Sequence, residues 1–321
     1  MKLASVEVAG RDVVAAQHGD RHLIDLAAAI RAIAPAAGFR TLLELVEAGD
    51  EGLELARRAH ARAAQDASLE LIPIDSVSWH APVRKPGKIV CLALNNSANK
   101  DRIMSGPSHP ATFVKPASAL VGHQQAIECR PEYGRIHPEP ELALVIGKKA
   151  KGVMSADAMD HVLGYTIHND ITSPTMRGED TFHYRAIHPR AGHPGEIDYL
   201  DTWVSYPGRY KGADTFACMG PWLVTKDEIP DPHDLAVQCH HQGRLMTEDN
   251  TVNLMHKVPQ VIEFISSYMT LLPGDIVSMG TALRKSGSGG AVQAIDLNTL
   301  GGPVSVTIAR IGTLVNTVAK A

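Results

Sequence analysis

Glu139-Pro140-Glu141, set directly before the apolar run Leu142-Ala-Leu-Val-Ile-Gly147, constrains this 321-residue chain more than any other feature. The run reads as a buried β-strand. Residues two apart on a strand share a face, so both carboxylates project together. Two anions that close repel unless a proton or a cation stands between them. Asp170, closing the run Gly164-Tyr-Thr-Ile-His-Asn-Asp170, brings a third carboxylate from the end of a second strand. Three hard oxygens with three negative charges suit Mg²⁺ or Mn²⁺, with Ca²⁺ also admitted, and leave positions for water and substrate. On spacing alone, a solvated Glu-x-Glu turn beside an unrelated Asp stands as an equal alternative.

Charge and composition narrow the partners. A formal net charge of −4 argues against an electrostatic nucleic-acid binder. Arg57, Arg58 and Arg62 form the only basic cluster of note and read as the solvated face of a helix. No apolar stretch reaches the length of a membrane span, and the first residues lack the apolar core of a signal peptide. Cys91, Cys129, Cys218 and Cys239 show no Cys-x-x-Cys spacing and read as reduced packing residues, which fits a cytoplasmic enzyme. Cys239-His240-His241 is a poor zinc site, because neighbours on a strand face opposite sides.

Two blocks are expected: a small N-terminal domain over 1–80 and a main domain over 81–321, joined at Ala81-Pro-Val-Arg-Lys-Pro-Gly87. The first should hold a hairpin over 6–24 that turns at Gly19-Asp20, then helices over 26–33, 41–47 and 51–65. The second is strand-dominated, with strands over 88–94, 142–146, 164–168, 222–225, 275–279 and 304–309. Helices are expected over 156–162, capped by Ser155, and over 258–269, with Pro259 in the first turn. Ser286-Gly-Ser-Gly-Gly290 lacks the Gly-Lys-Ser/Thr of a phosphate loop and reads as a plain loop. The fold class is α+β and rich in β.

Taken in order, the motifs resemble the fumarylacetoacetate hydrolase family. They are Gly87-Lys-Ile-Val-Cys-Leu-Ala-Leu-Asn95, Phe113-Val-Lys-Pro-Ala-Ser-Ala-Leu-Val-Gly122, the two carboxylate runs, Lys211-Gly-Ala-Asp-Thr-Phe216, Met219-Gly-Pro-Trp-Leu-Val-Thr225, Leu272-Pro-Gly-Asp-Ile-Val277 and Met279-Gly-Thr281. The resemblance covers about residues 85–318 and implies a mixed β-roll around a metal site, preceded by a small α/β domain and assembled as a homodimer. Glu139, Glu141 and Asp170 match the family's metal ligands, Lys211 its inward-reaching lysine, and Thr281 the threonine that helps hold a substrate carboxylate. The implied substrate is a small oxo acid or β-dicarbonyl compound, whose enolate is stabilised by Mg²⁺ or Mn²⁺.

Three departures bear on the chemistry. Hydrolytic members carry a His, and three residues later a Glu, that activate water; here Asn99 and Arg102 stand at those positions. An amide has no proton affinity to serve as a general base at neutral pH. After Asp170, Pro174 stands at the family's Arg position and Arg177 at its Gln position, from which Arg177 still reaches a substrate carboxylate. The stretch 178–210 is longer than usual and reads as a loop near the active-site mouth, with His183 as a candidate relocated base and Tyr184 beside it. Asn96, next to the missing base, is a candidate substrate contact.

The family default is hydrolytic C–C cleavage of an acylpyruvate-like substrate, in aromatic or amino-acid catabolism. The runner-up is tautomerisation, isomerisation, decarboxylation or hydration on the same metal, none of which needs the His/Glu pair. A non-catalytic relative is the third reading, opposed by the cost of keeping four charged groups together without chemistry.

Overall fold

The computed structural model describes residues 1–66, 70–284 and 291–321; the expected loop at Ser286-Gly-Ser-Gly-Gly290 lies outside them. The structure is β-rich, as the sequence indicates. A large mixed sheet of twelve strands forms the body, and a five-stranded sheet packs beneath it.

The central strands Pro140–Ile146, Val162–Asp170 and Ala217–Thr225 are buried along their whole length. Such strands read as unbroken apolar runs because both faces are covered. Alternate side chains divide between two cores. Leu142, Leu144 and Ile146 join Val237, Val306 and Ile308 of the smaller sheet and Val261 and Ile265 of helix Val258–Tyr268. Ala143 and Val145 join Ile30, Leu45, Leu53 and Ala56 of the N-terminal helices. The body is therefore three layers deep: helices, large sheet, smaller sheet.

The N-terminal block is a three-strand meander, Lys2–Val8, Arg11–His18 and His22–Asp25, followed by helices Leu26–Ile33, Leu42–Glu47 and Gly49–Ala63. The sequence reading had one hairpin here; a second turn at Ala9-Gly10, both residues at positive φ, makes the third strand. The meander joins the large sheet through Lys2↔Val224 and Leu3↔Leu223, so its hydrogen bonding runs into the main block. Asp25 and Thr41 cap the first two helices through their side chains.

Two expectations are corrected. Residues 156–162 hold only a short 3₁₀ turn, Ala158–His161, because the Ser155 hydroxyl donates to Glu263 instead of capping a helix. The stretch 178–210 is no loop. Thr181–Pro189 and Ile197–Ser205 pair in unbroken antiparallel register as a separate two-stranded ribbon. The four cysteines are free and buried, each on a strand. No described helix is long and apolar enough to cross a membrane.

Candidate metal centre

Antiparallel pairing brings the start of one central strand against the ends of two others. Pro140 faces Asn169, Glu141 faces His168, and on the other side Glu141 faces Thr281. The Asp170 N–H donates to the Glu139 carbonyl at 2.8 Å, and the Glu139 N–H to Asn169 Oδ1 at 3.0 Å. Register alone thus collects Glu139, Glu141, Asp170 and Thr281 at one end of the sheet. One carboxylate oxygen from each of Glu139, Glu141 and Asp170 lies within 4.8 Å of the others.

Two buried lysines face this triad. Lys211 Nζ donates to Glu139 Oε2 and Asp170 Oδ2, both at 2.6 Å, and to Thr172 Oγ1 at 2.7 Å. It also lies 5.0 Å from the centre of the Phe113 ring. Lys115 Nζ donates to Asp170 Oδ1 and, at 3.3 Å, to the Ile171 carbonyl. Two ammonium groups against three carboxylates leave one negative charge uncompensated. Burial disfavours the charged form of Glu139, yet Lys211 and His137 beside it hold its carboxyl well below the usual range. Burial likewise works against charge on Asp170, and Lys115 and Lys211 outweigh it. Burial would strip the proton from Lys211, but Asp170, Glu139 and Glu141 push its affinity well above that of a free lysine.

Glu141 is held from below. Ser278 Oγ donates to its Oε2, and the His168 ring lies 2.7 Å from that hydroxyl, forming a buried His168–Ser278–Glu141 chain. Thr281 Oγ1 stands 3.0 Å from Glu141 Oε1 and 3.3 Å from Glu139 Oε2. The Gly280 N–H reaches Glu141 at 3.3 Å from a backbone at φ +94°, and a Cβ there would press on Asn95. A ring of donors therefore fixes all three carboxylates before any ligand arrives. Three hard oxygens held this way fit a divalent cation of the Mg²⁺ or Mn²⁺ type.

Glu139, the least buried of the triad, opens onto a cavity of about 580 Å³. Asn99, Arg177, Thr281 and Lys211 line it, as read from the sequence. Asn96 does not. Its amide donates to Asp249 and to the Thr281 carbonyl, and its oxygen caps Ala98, so every polar atom is used in holding the loop. Asn95 lines the cavity in its place, although its own amide is bonded to backbone at His256 and Met279. His183 and Tyr184 also fall outside the lining. Both sit on the ribbon, where His183 stacks on Trp203 at 4.2 Å, and only the ribbon's last residue, Ser205, reaches the cavity.

Sequence reasoning passed over Lys115, His137, His168, Ser278, Tyr210 and Arg135. Lys115 had a signal: it shares the buried face of its strand with Phe113, and a lysine on an inward face needs an anionic partner. His137, Tyr210 and Arg135 line the cavity, and the His137 ring lies 3.1 Å from Glu139 Oε1. Glu7, Asp12 and His80 also come close together, but that group is partly open to solvent and Asp12 is bonded to Arg84 at 2.6 Å.

Comparison with known proteins gives the family and the fold. The sequence profile of the fumarylacetoacetate (FAA) hydrolase C-terminal family matches residues 88–319. Among curated proteins, the mitochondrial oxaloacetate tautomerase FAHD2B of Bos taurus is 35% identical over 243 residues, 75% of this chain and 69% of its own. Among solved structures, maleylpyruvate hydrolase from Sphingobium sp. SYK-6, in complex with manganese(II) and pyruvate, is 26% identical over the full length of both chains with a TM-score of 0.72. A 5-carboxymethyl-2-hydroxymuconate delta-isomerase from Mycobacterium smegmatis is also 26% identical, covering all of this chain and 99% of its own with a TM-score of 0.67.

Proposed function

The chain belongs to the fumarylacetoacetate hydrolase family, and we propose that it is a divalent-metal-dependent enzyme that interconverts keto and enol forms of a small 2-oxo dicarboxylic acid without breaking a carbon–carbon bond. The observation that carries this reading is Asn99. It stands on the cavity wall, 97% buried, where hydrolytic relatives would place a water-activating imidazole, and its Oδ1 accepts from Arg102 Nη1 at 3.3 Å. An amide held by a guanidinium cannot take a proton from water. The hydrolytic expectation therefore loses its base, while a proton transfer at carbon does not need an attacking water.

The remaining residues suit that task. Glu139, Glu141 and Asp170 would hold the divalent ion, which would supply Lewis-acid charge to a carbonyl oxygen. Lys211 stays protonated and offers a fixed positive charge and an N–H donor where negative charge develops. Thr281 orients the two glutamates and faces the cavity. His137 is the one imidazole among the described lining residues, and its contact with Glu139 makes it the candidate to accept and return the proton.

Arg102, Arg135 and Arg177 line the same cavity, and none is ion-paired with a carboxylate among the described residues. Arginines left without an anion beside a metal site favour a substrate with a second carboxylate. The curated relatives' activity on oxaloacetate supports the same class.

The test is product analysis with Mn²⁺-loaded protein and a panel of acylpyruvates in deuterated water. The expected result is deuterium exchange next to the carbonyl with no cleaved acid. Stoichiometric release of the two cleaved acids would establish the hydrolytic reading instead, the activity named for the Sphingobium relative.

A further inference from the structure

Each carboxylate of the triad is held at one oxygen from outside and turns its other oxygen toward the centre. The outer oxygens are Glu139 Oε1, Glu141 Oε2 and Asp170 Oδ1. An ionised carboxylate only accepts, so the His137 ring donates to Glu139 Oε1 through Nε2, at 3.1 Å. Glu141 Oε2 takes the Ser278 hydroxyl and, at 3.3 Å, the Gly280 N–H. With its proton committed there, Ser278 Oγ accepts from His168 Nδ1 at 2.7 Å, which fixes the direction of the hydroxyl. Asp170 Oδ1 takes the ammonium of Lys115. The inner oxygens are Glu139 Oε2, Glu141 Oε1 and Asp170 Oδ2. Among the described residues two side chains donate to them. Lys211 spans Glu139 Oε2 and Asp170 Oδ2, and Thr281 spans Glu139 Oε2 and Glu141 Oε1.

The two sets of donors differ in how freely they can move. Lys115, His168 and Ser278 are enclosed on strands Ala111–Lys115, Val162–Asp170 and Ile276–Thr281. Apart from Asp170, Lys115 Nζ reaches the Ile171 carbonyl at 3.3 Å. If Asp170 withdrew Oδ1, a buried ammonium would lose its anion, which is a costly state. Lys211 and Thr281 instead line the cavity. Lys211 keeps Thr172 Oγ1 and the face of the Phe113 ring as partners when its ammonium turns away from the carboxylates. The inner oxygens can therefore be handed to a cation, and the outer ones are already taken.

We propose that the outer donors, Lys115 foremost, restrict each carboxylate to a single ligand oxygen and so make the centre reject Ca²⁺. Ca²⁺ takes about six to eight oxygens and commonly draws both oxygens of a carboxylate, whereas Mg²⁺ keeps to an octahedron of about six. Three single oxygens leave the rest of an octahedron to water and substrate, and fall short of what Ca²⁺ gathers. An acidic triad free to turn its carboxylates would lean the other way, because Mg²⁺ gives up its water reluctantly. The charge of Lys115 cannot make this distinction, since both ions are dications; its hold on Asp170 Oδ1 can. Lys115 is thus a positioning residue that acts through Asp170, and Ser278 plays the same part at Glu141. This inference rests on the divalent-ion centre assigned above and not on the reaction.

Calorimetric titration of the chelated and dialysed full chain with MgCl₂ and with CaCl₂ provides the test. Wild type should bind Mg²⁺ at least as tightly as Ca²⁺. Whatever Lys115→Met does to each affinity, it should shift their ratio about 10-fold toward Ca²⁺, and Ser278→Ala should shift it in the same direction. Infrared difference spectra give a second readout. Wild type with Mg²⁺ should show the wide separation of carboxylate stretches that one-oxygen coordination gives, and Lys115→Met with Ca²⁺ the narrow one of two-oxygen coordination. A wild type that binds Ca²⁺ more tightly than Mg²⁺ would overturn the inference and leave the centre standing; one that binds neither ion would overturn the centre itself. A ratio in Lys115→Met within twofold of wild type would remove Lys115 from ion selection. If Lys115→Met does not fold, Ser278→Ala and the wild-type spectrum decide: an unchanged ratio, or a narrow separation with Mg²⁺, is enough to overturn the proposal.

Discussion

Lys211 Nζ lies 2.6 Å from Asp170 Oδ2, 41 positions earlier in the chain, and both groups are almost wholly buried. The contact sets lysine against carboxylate, and the same ammonium bridges to Glu139. Replacing it with an uncharged isostere, Lys211→Met, removes a donor placed where negative charge develops. Turnover should fall about 10²–10³-fold, with the circular dichroism spectrum retained. Steady-state kinetics on metal-loaded variant and wild type give the comparison, and a loss under threefold would remove Lys211 from the chemistry.

Lys115 is the second ammonium of this centre. It is fully buried and donates to Asp170, so Lys115→Met leaves a buried carboxylate short of a partner. In chelated protein, urea unfolding should show a loss of about 3–5 kcal/mol. Added Mn²⁺ should recover part of this loss, because the cation supplies the missing positive charge. A variant as stable as wild type would mean that water already compensates Asp170.

Acid should act through the same carboxylates. Despite burial, neighbouring cations hold Glu139 below its ordinary 4.5 and Asp170 below 3.8. A depressed carboxyl gives stability that is complete above the unfolded-state value and is lost as pH falls through the folded one. Lys211 is raised instead, so its share is complete below 10.5 and is lost only in strongly alkaline solution. The chelated protein's Tm should therefore hold from neutral pH to about 5 and decline steadily below that. Glu139→Gln should flatten part of the decline, and identical acid slopes in the two proteins would contradict the assignment.

How far the sequence reveals this site depends on where each residue's partner lies. Glu139, Glu141 and Asp170 are legible because they sit at the ends of buried strands, and strand pairing alone brings such ends together, whereas Thr281 is legible only through the family resemblance. Lys115 lies 55 residues from its partner Asp170, and only tertiary packing joins them. Asn96, a candidate substrate contact on sequence, lies three residues from Asn99, but one turn of 3₁₀ helix points its amide into the loop and that of Asn99 into the cavity. The ribbon was hidden for a different reason. Phe182, Tyr184, Ile187, Tyr199, Leu200 and Trp203 mark strands by composition, but apolar residues on both faces erase the alternation by which a half-buried strand is recognised. With no core to face, that stretch read as a loop.

His137 and Arg102 separate proton transfer from substrate selection. His137→Gln should lower the rate of exchange next to the carbonyl about 10²–10⁴-fold, while Mn²⁺ affinity by calorimetry stays within a few fold. Arg102→Ala should raise KM for a 2-oxo dicarboxylate about 10–100-fold, and leave KM for a monocarboxylic 2-oxo acid nearly unchanged. Equal effects on both substrates would remove Arg102 from the recognition of a second carboxylate.

Restoring the water-activating pair is the complementary experiment. Asn99→His with Arg102→Glu should confer release of cleaved acid from an acylpyruvate that the native protein leaves intact. If the double variant releases none, something other than the missing base blocks hydrolysis.

The most direct test of the central claim is the decay of enol-oxaloacetate absorbance in the presence of the protein. With Mg²⁺ or Mn²⁺, the enol should convert to the keto form far faster than buffer alone allows, with no pyruvate released; chelation or Asp170→Ala should abolish the effect. Decay no faster than buffer, or decay that survives chelation unchanged, would contradict a metal-dependent tautomerase.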